Sequence, residues 1–293
     1  MTLPPPGNAF EWTNAFGPAA LVCLPLAPLA RHLFTSRLWP LATAAGAGAE
    51  SAWNSVGHAL GADGSRLLRA RQVHGAAVLI HRGGEAFGQT AAADILVAGG
   101  DEVVAAIQTA DCVPVLIADS RSGTVAAAHA GWRGLAQRVP QTAIRAMVDS
   151  FAARESDLIA AIGPSIGACC YEVGGDVRDR FAAAGFEARE MARWFGRELR
   201  PSPANPPMTG MPPDVRAGHW VLDVWAATRD QLRAAGVRAD RIFVAGLCTA
   251  SHPGAFCSFR RDGAAAGRMA AAIGPRPESY VASEFSRTTD QSG

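Results

Sequence analysis

Short apolar runs, separated by turn residues, fill the middle of the chain and predict β-strands. The first five runs lie at 76–80, 94–98, 102–107, 114–119 and 124–129. Further strand-like segments lie at 32–38, 158–163 and 241–247. Because no long helical pattern separates the first five runs, they favour antiparallel or mixed sheets over the doubly wound parallel sheet of a Rossmann domain.

Apolar residues at three- and four-residue spacing predict two helices. The first covers residues 135–153, with Pro140 in its first turn or at a kink, since proline removes a hydrogen bond from a helix interior. The second begins with Asp223 as its N-cap and ends before Gly236. The inward-facing residues are expected to be Ile144, Met147, Val148 and Phe151 in the first helix, and Val224, Trp225 and Leu232 in the second.

The remaining segments carry weaker signals. The first 70 residues are rich in alanine, glycine and proline, and the GAGAE segment at 46–50 lacks the glycine spacing of a dinucleotide-binding loop. Residues 200–218 are dense in proline and predict an irregular surface loop. Because no shift in composition divides the chain, we predict one domain over residues 1–274, followed by a polar tail at 275–293.

The charge balance limits the possible partners. The chain has 293 residues, of which 27 are basic and 26 acidic, giving a net charge of +1. This balance argues against nucleic acid or an anionic membrane as the main partner. Every basic residue is an arginine. The absence of lysine excludes a Schiff-base enzyme, a pyridoxal-phosphate enzyme and a P-loop, because each needs the lysine amine.

Histidine and cysteine content narrows the chemistry further. Seven histidines are too few for a multicopper oxidase, whose several coppers need about ten imidazoles. Six dispersed cysteines, including the adjacent Cys169 and Cys170, indicate reduced thiols and a cytoplasmic protein. Pro25 and Pro28 interrupt an N-terminal apolar stretch that begins without positive charge, so we expect neither a signal peptide nor a membrane span.

Three segments place a histidine or a cysteine beside small residues at strand ends. They are RQVHG at 71–75, TADC at 109–112 and HAGWRG at 129–134. Their candidate ligands His74, Cys112 and His129 are 38 and 17 residues apart, unlike the close ligand pairs of a zinc finger. Two imidazoles and one thiolate would bind Zn²⁺ with an open fourth position, as catalytic zinc sites do. Blue copper ranks lower, because no methionine is near Cys112 or His129 in sequence.

The segment IGPSIGACCYEVG, at 162–174, combines turn glycines with potential reactive groups. Its glycines would expose backbone N–H groups that can bind an anion. Cys169 and Cys170 would point in opposite directions if the segment is extended, so at most one would face a site. Glu172 lies in an otherwise apolar run and is either a candidate acid or base, or the partner of an arginine.

Arginines are the candidate anion-binding side chains. Arg260 and Arg261 follow Phe259 and would bind a phosphate or a nucleobase edge, with one arginine facing inward and the other solvated. Arg133 lies between two glycines, 131 and 134, which would let a substrate approach the backbone closely.

Taken in order, these motifs resemble the laccase-domain family over residues 32–274. The matching segments are RQVHG, ADILV, TADCVPVLIAD, HAGWRG, IGPSIGACCYEV, LDVWAATRDQL, LCT and FRRDG with a later GR. The family was once described as multicopper polyphenol oxidases and is now regarded as zinc-dependent purine nucleoside phosphorylases, and some members are named peptidoglycan editing factor. The resemblance implies an α+β fold: a single-domain α/β/β/α sandwich with mixed sheets, similar to a bacterial toxin deamidase.

The resemblance also implies a site and a reaction. It implies Zn²⁺ held by His74, Cys112 and His129 near a sheet edge. The implied activities are phosphorolysis of adenosine, inosine, guanosine and methylthioadenosine, and deamination of adenosine.

Roles for the other candidates follow from that reaction. We expect Arg133 and one of Arg260 and Arg261 to orient phosphate for attack at the ribose C1′. We expect Gln72 and Thr109 to contact substrate. In a deaminase reaction, Glu172 or Asp111 would relay protons.

Three departures from the family pattern bear on substrate choice. Leu38, Trp39 and Pro40 stand where a glycine-rich turn is expected, Cys257 and Phe259 replace the usual phenylalanine and tyrosine, and the loop at 200–218 is long.

Two other functions remain open. The same residues would suit an amide hydrolase that edits muramyl precursors of the cell wall, either through zinc or through a Cys112 thiolate paired with His129. A structural zinc module without catalysis would need a fourth ligand, such as Cys169 or Cys248. Copper-dependent phenol oxidation is the least favoured alternative.

Overall fold

The computed structural model describes residues 3–43, 48–83, 91–100 and 103–276. Within these residues, fifteen strands form two six-stranded sheets and one three-stranded sheet. The strands are β1 (Phe10–Thr13), β2 (Ala20–Cys23), β3 (Ala30–Thr35), β4 (Leu67–Leu68), β5 (Val78–His81), β6 (Ile95–Ala98), β7 (Val104–Thr109), β8 (Val113–Asp119), β9 (Val125–Ala130), β10 (Leu158–Ile162), β11 (Glu172–Gly174), β12 (Phe195–Gly196), β13 (His219–Leu222), β14 (Ile242–Val244) and β15 (Met269–Pro275).

Both large sheets are mixed, as predicted. The first has the strand order β1-β2-β3-β15-β7-β4, and the second has the order β14-β10-β8-β9-β6-β5. Most neighbouring strands are antiparallel, but β4 and β7, β5 and β6, and β10 and β14 pair in parallel. The small third sheet has the order β11-β13-β12.

Helices cover the outer faces of the two large sheets. The α-helices of the described residues are α1 (Gly48–Ala59), α2 (Trp132–Ala136), α3 (Val139–Phe151), α4 (Gly175–Ala183), α5 (Ala188–Trp194), α6 (Val224–Ala234) and α7 (Phe259–Asp262). The sheets pack face to face through buried residues such as Phe34, Ile107 and Leu116. Trp53 of α1 packs against the first sheet, whereas α3 and α6 pack against the second. This layering confirms the predicted α/β/β/α sandwich.

The predicted strands and helices are found with small displacements. Each predicted strand overlaps an observed one, although residue 102 lies outside the described part. The helix predicted over 135–153 is broken after α2, because Arg138 adopts a left-handed backbone conformation, and α3 then begins with Pro140 in its first turn. The Asp223 carboxylate accepts the N–H of Ala226 at 2.9 Å, which confirms the predicted N-cap of α6.

The N-terminal third contains more structure than its sequence pattern indicates. Strands β1 to β3 form one side of the first sheet, and β2 and β3 are buried along their whole length. A strand buried on both faces has no alternation of polar and apolar residues. Helix α1 includes residues 48–50 of the GAGAE segment, while residues 46 and 47 lie outside the described part.

Of the two regions that the sequence predicts to be irregular, the structure describes residues 200–218 in full and only the start of the tail at 275–293. Residues 200–218 contain no helix and one isolated bridge, between Ser202 and Asn205. Residues 277–293, which make up most of the predicted tail, lie outside the described residues. None of the helices in the described ranges is long and apolar enough to cross a membrane.

Candidate metal centre and cavity

His74, Cys112 and His129 meet at one end of the second large sheet. Cys112 immediately precedes β8, and His129 lies near the end of the antiparallel neighbour β9. His74 lies in the loop between β4 and β5, with a left-handed backbone (φ 58°). One ligand atom from each residue lies within 4.8 Å of the other two. The structure therefore brings together the three residues that the sequence predicted as metal ligands.

A buried carboxylate holds two of these three residues. Asp94 Oδ1 lies 2.8 Å from Nδ1 of His129, which directs the other ring nitrogen, Nε2, away from Asp94. The same carboxylate accepts the backbone N–H groups of Val73, His74 and Gly75 at 3.1, 3.0 and 2.7 Å. Burial would raise the pKa of Asp94, but its hydrogen bonds to His129 and to the backbone lower it. Asp94 is therefore an ionised positioning residue.

The protonation of the triad suits a metal. Burial would raise the pKa of Cys112, but hydrogen bonds to His129 and His74 lower it to about 7. Burial would lower the pKa of His129, but hydrogen bonds to Asp94 and Cys112 raise it to about 9. Without a metal, these shifts favour a thiolate beside an imidazolium at neutral pH. A cation can take the place of that imidazolium proton, because the thiolate is the form of cysteine that binds metals.

Gly131 lies so close to the triad that there is no room for a side chain at this position. A Cβ atom at Gly131 would lie 2.8 Å from Sγ of Cys112 and 3.3 Å from Cδ2 of His74. A larger residue would therefore displace two candidate ligands. The sulfur and imidazole donors, the carboxylate behind His129 and this crowding together fit Zn²⁺, whose ligating histidines usually donate their second N–H to a carboxylate.

A cavity of about 540 Å³ opens beside the triad. Besides the triad, it is lined by Gln72, Gln108, Thr109, Ala110, Asp111, Trp132, Arg133, Tyr171, Phe259, Arg260 and Arg268. Five of the seven residues predicted to bind substrate or act in catalysis line this cavity, namely Gln72, Thr109, Asp111, Arg133 and Arg260. Tyr171, Phe259 and Arg268 also line it, although the sequence did not single them out as site residues. All three lie inside the quoted motifs, so membership of those motifs is the sequence signal for them.

Three arginines give this cavity a positive lining. The Arg133 guanidinium stacks over Trp132, with its carbon 4.3 Å from the ring centre. Arg260 lies over Tyr171 at 5.0 Å and donates to the backbone carbonyl of Glu172 at 2.7 Å. Arg268 lines the same cavity. These partners of Arg133 and Arg260 are two aromatic rings and a backbone carbonyl, which carry no net charge and do not neutralise the guanidinium groups.

The other predicted arginine, Arg261, has a structural role. Its guanidinium donates to the carbonyls of Thr249 and Phe256 at 2.9 and 3.0 Å and pairs with Asp262 at 2.7 Å. It is not among the residues lining the cavity. Because the pair lies at the start of the short helix α7 rather than in a strand, only Arg260 faces the site, and the expectation for Arg261 as a substrate ligand is corrected.

Glu172 also lies away from the cavity lining. Its carboxylate is buried and accepts both the backbone N–H and the Nε–H of Arg216, at 3.1 and 2.8 Å. Burial would raise its pKa, but these bonds from Arg216 lower it. The placement matches the alternative in which Glu172 is the partner of an arginine, and it does not support the catalytic role.

Asp111 lines the cavity but is bound by the protein itself. Its carboxylate accepts hydrogen bonds from Thr249 Oγ1, Ser258 Oγ and the N–H of Arg260, at 2.5, 3.0 and 2.6 Å. Burial is the largest influence on its pKa and raises it despite these bonds. Asp111 thus fixes the start of α7, and with it Arg260, directly beside Cys112.

Gln72 and Thr109 both line the cavity, but their side chains lie in different settings. The Gln72 side chain donates to the carbonyl of Gln108 at 2.9 Å and accepts its N–H at 2.7 Å, so it connects the His74 loop to β7. Thr109 ends β7 and is buried. Both residues line the cavity, but the Gln72 amide already has backbone partners.

Comparison with known proteins shows the family of this chain. The family model described as multi-copper polyphenol oxidoreductase laccase matches residues 49–276. The chain belongs to this family.

Two relatives carry informative names. A purine nucleoside phosphorylase of Deinococcus radiodurans is 37% identical over 221 residues, covering 75% of each chain. The adenosine deaminase RL5, from an unknown prokaryotic organism, is 34% identical and covers 71% of this chain and 74% of its own. The names support a nucleoside-processing function in the family.

A solved structure has the same fold. The hypothetical protein YfiH of Bacillus licheniformis matches 92% of this chain and 100% of its own, with 25% identity and a TM-score of 0.75. This chain therefore shares the mixed α+β architecture of the Bacillus licheniformis protein.

Proposed function

We propose that this laccase-family protein is a zinc-dependent purine nucleoside phosphorylase acting on adenosine, inosine, guanosine or methylthioadenosine. The observation that carries the proposal is a single cavity that contains the His74, Cys112 and His129 triad together with three arginines. A phosphorylase must hold a phosphate dianion and a nucleoside side by side, and arginine forms bidentate hydrogen bonds with phosphate.

In the proposed reaction, Arg133, Arg260 and Arg268 bind phosphate and direct one of its oxygens to the ribose C1′. The bond between C1′ and the purine nitrogen breaks, and the purine leaves with the bonding electron pair and takes up a proton. Arg260 is kept in position by Asp111 and Tyr171, so the phosphate is bound by a preorganised group. Zn²⁺ at the triad would supply a Lewis acid that polarises a substrate atom.

Phe259 would recognise the base. Its side chain is 56% exposed and lines the cavity, an uncommon environment for a large aromatic residue. A purine stacking on this ring would cover it, and base stacking on aromatic residues tolerates different bases. A site that holds the base by stacking would therefore accept several different purine nucleosides.

The test is the release of free purine from inosine by zinc-loaded protein, with and without phosphate. We expect phosphate-dependent formation of hypoxanthine. Arg133→Gln should raise KM for phosphate about tenfold or more, since a hydrogen bond to a charged group contributes about 1.5–3 kcal/mol. Arg189→Gln is the matched control, because Arg189 is exposed on α5 and pairs with Glu187. Phosphate-independent product, or none, would contradict the proposal.

Adenosine deaminase activity is a second candidate, supported by the relative of that name. Asp111 supports it chemically, because burial raises the pKa of this cavity-lining carboxyl group, and a carboxyl group with a raised pKa takes up a proton more readily, as a proton relay requires. With adenosine as substrate, deamination yields inosine without phosphate, whereas phosphorolysis yields adenine. The two products separate the two reactions in one assay.

A structural zinc module and a thiol amide hydrolase, the two other candidate functions, predict different experimental results. A structural zinc site needs a fourth protein ligand, and among the described residues the triad is a group of three. A thiol amide hydrolase would use the Cys112 thiolate and His129 without metal. Metal analysis of active protein, combined with UDP-linked muramyl amino acids as substrates, distinguishes both from the phosphorylase.

A further inference from the structure

A second group of potential ligands lies outside the cavity. The sulfur atoms of Cys169, Cys170 and Cys248 all lie within 4.8 Å of one another, and the three residues are buried. Cys169 and Cys170 lie in a turn between β10 and β11 rather than in an extended strand, so both sulfurs approach Cys248, which follows β14. The expectation that they point in opposite directions applied only to an extended segment.

Backbone N–H groups point at two of these sulfurs. The N–H of Gly167 donates to Sγ of Cys248 at 3.2 Å, and the N–H of Met208 donates to Sγ of Cys170 at 3.2 Å. Hydrogen bonds of this kind accompany metal-bound thiolates, because sulfur carries negative charge when it ligates a metal.

We propose that Cys169, Cys170 and Cys248 form a binding site for a soft monovalent cation, copper(I), separate from the triad in the cavity. Thiolate ligands suit copper(I), zinc and iron–sulfur clusters, and of these copper(I) is stable with only two or three sulfur ligands. Each thiol that binds as a thiolate releases one proton to solvent. The copper enters and remains in the +1 state, so binding requires no oxidant or reductant.

The composition of the site favours copper(I) over zinc. Structural Zn²⁺ takes four ligands from cysteine, histidine, aspartate and glutamate. Within the described part of the chain, the group contains three cysteines and none of the other ligand types. The Ser251 hydroxyl lies 3.3 and 3.5 Å from the sulfurs of Cys169 and Cys170, and it donates to the carbonyl of Pro206 at 2.5 Å.

The site would join three segments of the fold. Cys170 contacts Pro206 and Met208 of the proline-rich 200–218 region, and Cys248 precedes Thr249, which donates to Asp111. A bound cation would therefore link residues 200–218 to the segment around Cys248 and Thr249, which contacts the cavity residue Asp111. It shares no ligand with His74, Cys112 or His129.

The experiment uses the full chain, reduced, loaded with zinc and kept anaerobic. Copper(I) is titrated in competition with a chromogenic copper(I) chelator, and X-ray absorption then reports the ligands. We expect one copper(I) per chain with only sulfur neighbours. Imidazole neighbours, or binding of a second zinc in preference to copper(I), would overturn the proposal.

Variants assign the site to its residues. Cys169→Ser and Cys248→Ser should each weaken copper(I) binding at least a hundredfold, and Cys112→Ser should leave it unchanged. Cys257→Ser is the matched control, because Cys257 is also buried but belongs to neither group. Wild-type affinity in Cys248→Ser, or loss in Cys112→Ser, would contradict the assignment. The absorption measurement on the unmodified protein decides the question if a variant does not fold.

Discussion

Asp94 Oδ1 lies 2.8 Å from Nδ1 of His129, and the same carboxylate also accepts the backbone N–H of His74 at 3.0 Å. One buried side chain thus orients two of the three candidate metal ligands, which come from distant parts of the chain. A carboxylate behind a ligating histidine fixes the tautomer and raises the basicity of the ring.

Removing the negative charge of Asp94 should weaken metal binding without removing a ligand. We expect Asp94→Asn to lower zinc affinity about 10- to 100-fold, as changes to such supporting groups usually do. Competition with a zinc chelator measures this change.

The matched control for Asp94 is Asp119→Asn. Asp119 is also buried and also accepts backbone N–H groups, those of Arg121 and Ser122, but it lies at the opposite end of β8 from Cys112. Equal loss of zinc affinity in both variants would show a general effect on stability, and the positioning role of Asp94 would be wrong.

The proximity of His74, Cys112 and His129 could be predicted because each lies in a short motif at the end of an apolar run, and because these motifs together resemble those of the laccase-domain family. The sequence did not single out Asp94, since an aspartate in ADILV has no distinguishing pattern until β6 and β9 are paired. It could not separate Arg260 from Arg261, because that choice depends on whether the segment is a strand or the short helix α7. Helix α1 was missed because its apolar positions are alanine and glycine as much as Trp53 and Val56.

Gly131 tests the crowding around the triad. Gly131→Ala should abolish high-affinity zinc binding, because its Cβ would lie 2.8 Å from Sγ of Cys112. Gly48→Ala is the control, since a Cβ there meets no atom within 4 Å. Metal content after dialysis, measured beside thermal stability, checks the prediction. Normal zinc content in Gly131→Ala would mean that the ligands tolerate a displacement.

Phe259 tests base recognition in the proposed phosphorylase. Phe259→Ala should raise KM for inosine about tenfold or more and leave KM for phosphate nearly unchanged, because stacking of a base contributes about 1–3 kcal/mol. Phe259→Trp should retain the wild-type KM. Leu38→Ala is the control, as Leu38 is also exposed (51%) but does not line the cavity. Equal changes for both substrates would contradict a stacking role.

His32 should make the fold sensitive to acid independently of the metal. The ring is fully buried in β3, where Nε2 accepts the N–H of Cys23 at 2.8 Å and Nδ1 bonds the carbonyl of Ala30 at 3.1 Å. Burial lowers its pKa from 6.5 to about 4, despite the bond to Ala30. The folded protein therefore holds this ring neutral where an unfolded chain would protonate it.

A folded-state pKa below the unfolded value means that protonation of the unfolded chain destabilises the protein as pH falls from 6.5 towards 4. The contribution of His32 to the free energy of unfolding should fall by about 3 kcal/mol over that range. We expect His32→Gln to be less stable at neutral pH, because a buried N–H loses its acceptor, but to show a flatter loss of stability on acidification. Urea unfolding of metal-free protein at pH 7 and 4.5 measures both effects, and the exposed His58→Gln variant should keep the wild-type slope. Parallel pH profiles for wild type and His32→Gln would mean that the ring has the same pKa in the folded and unfolded chains, which would contradict the prediction.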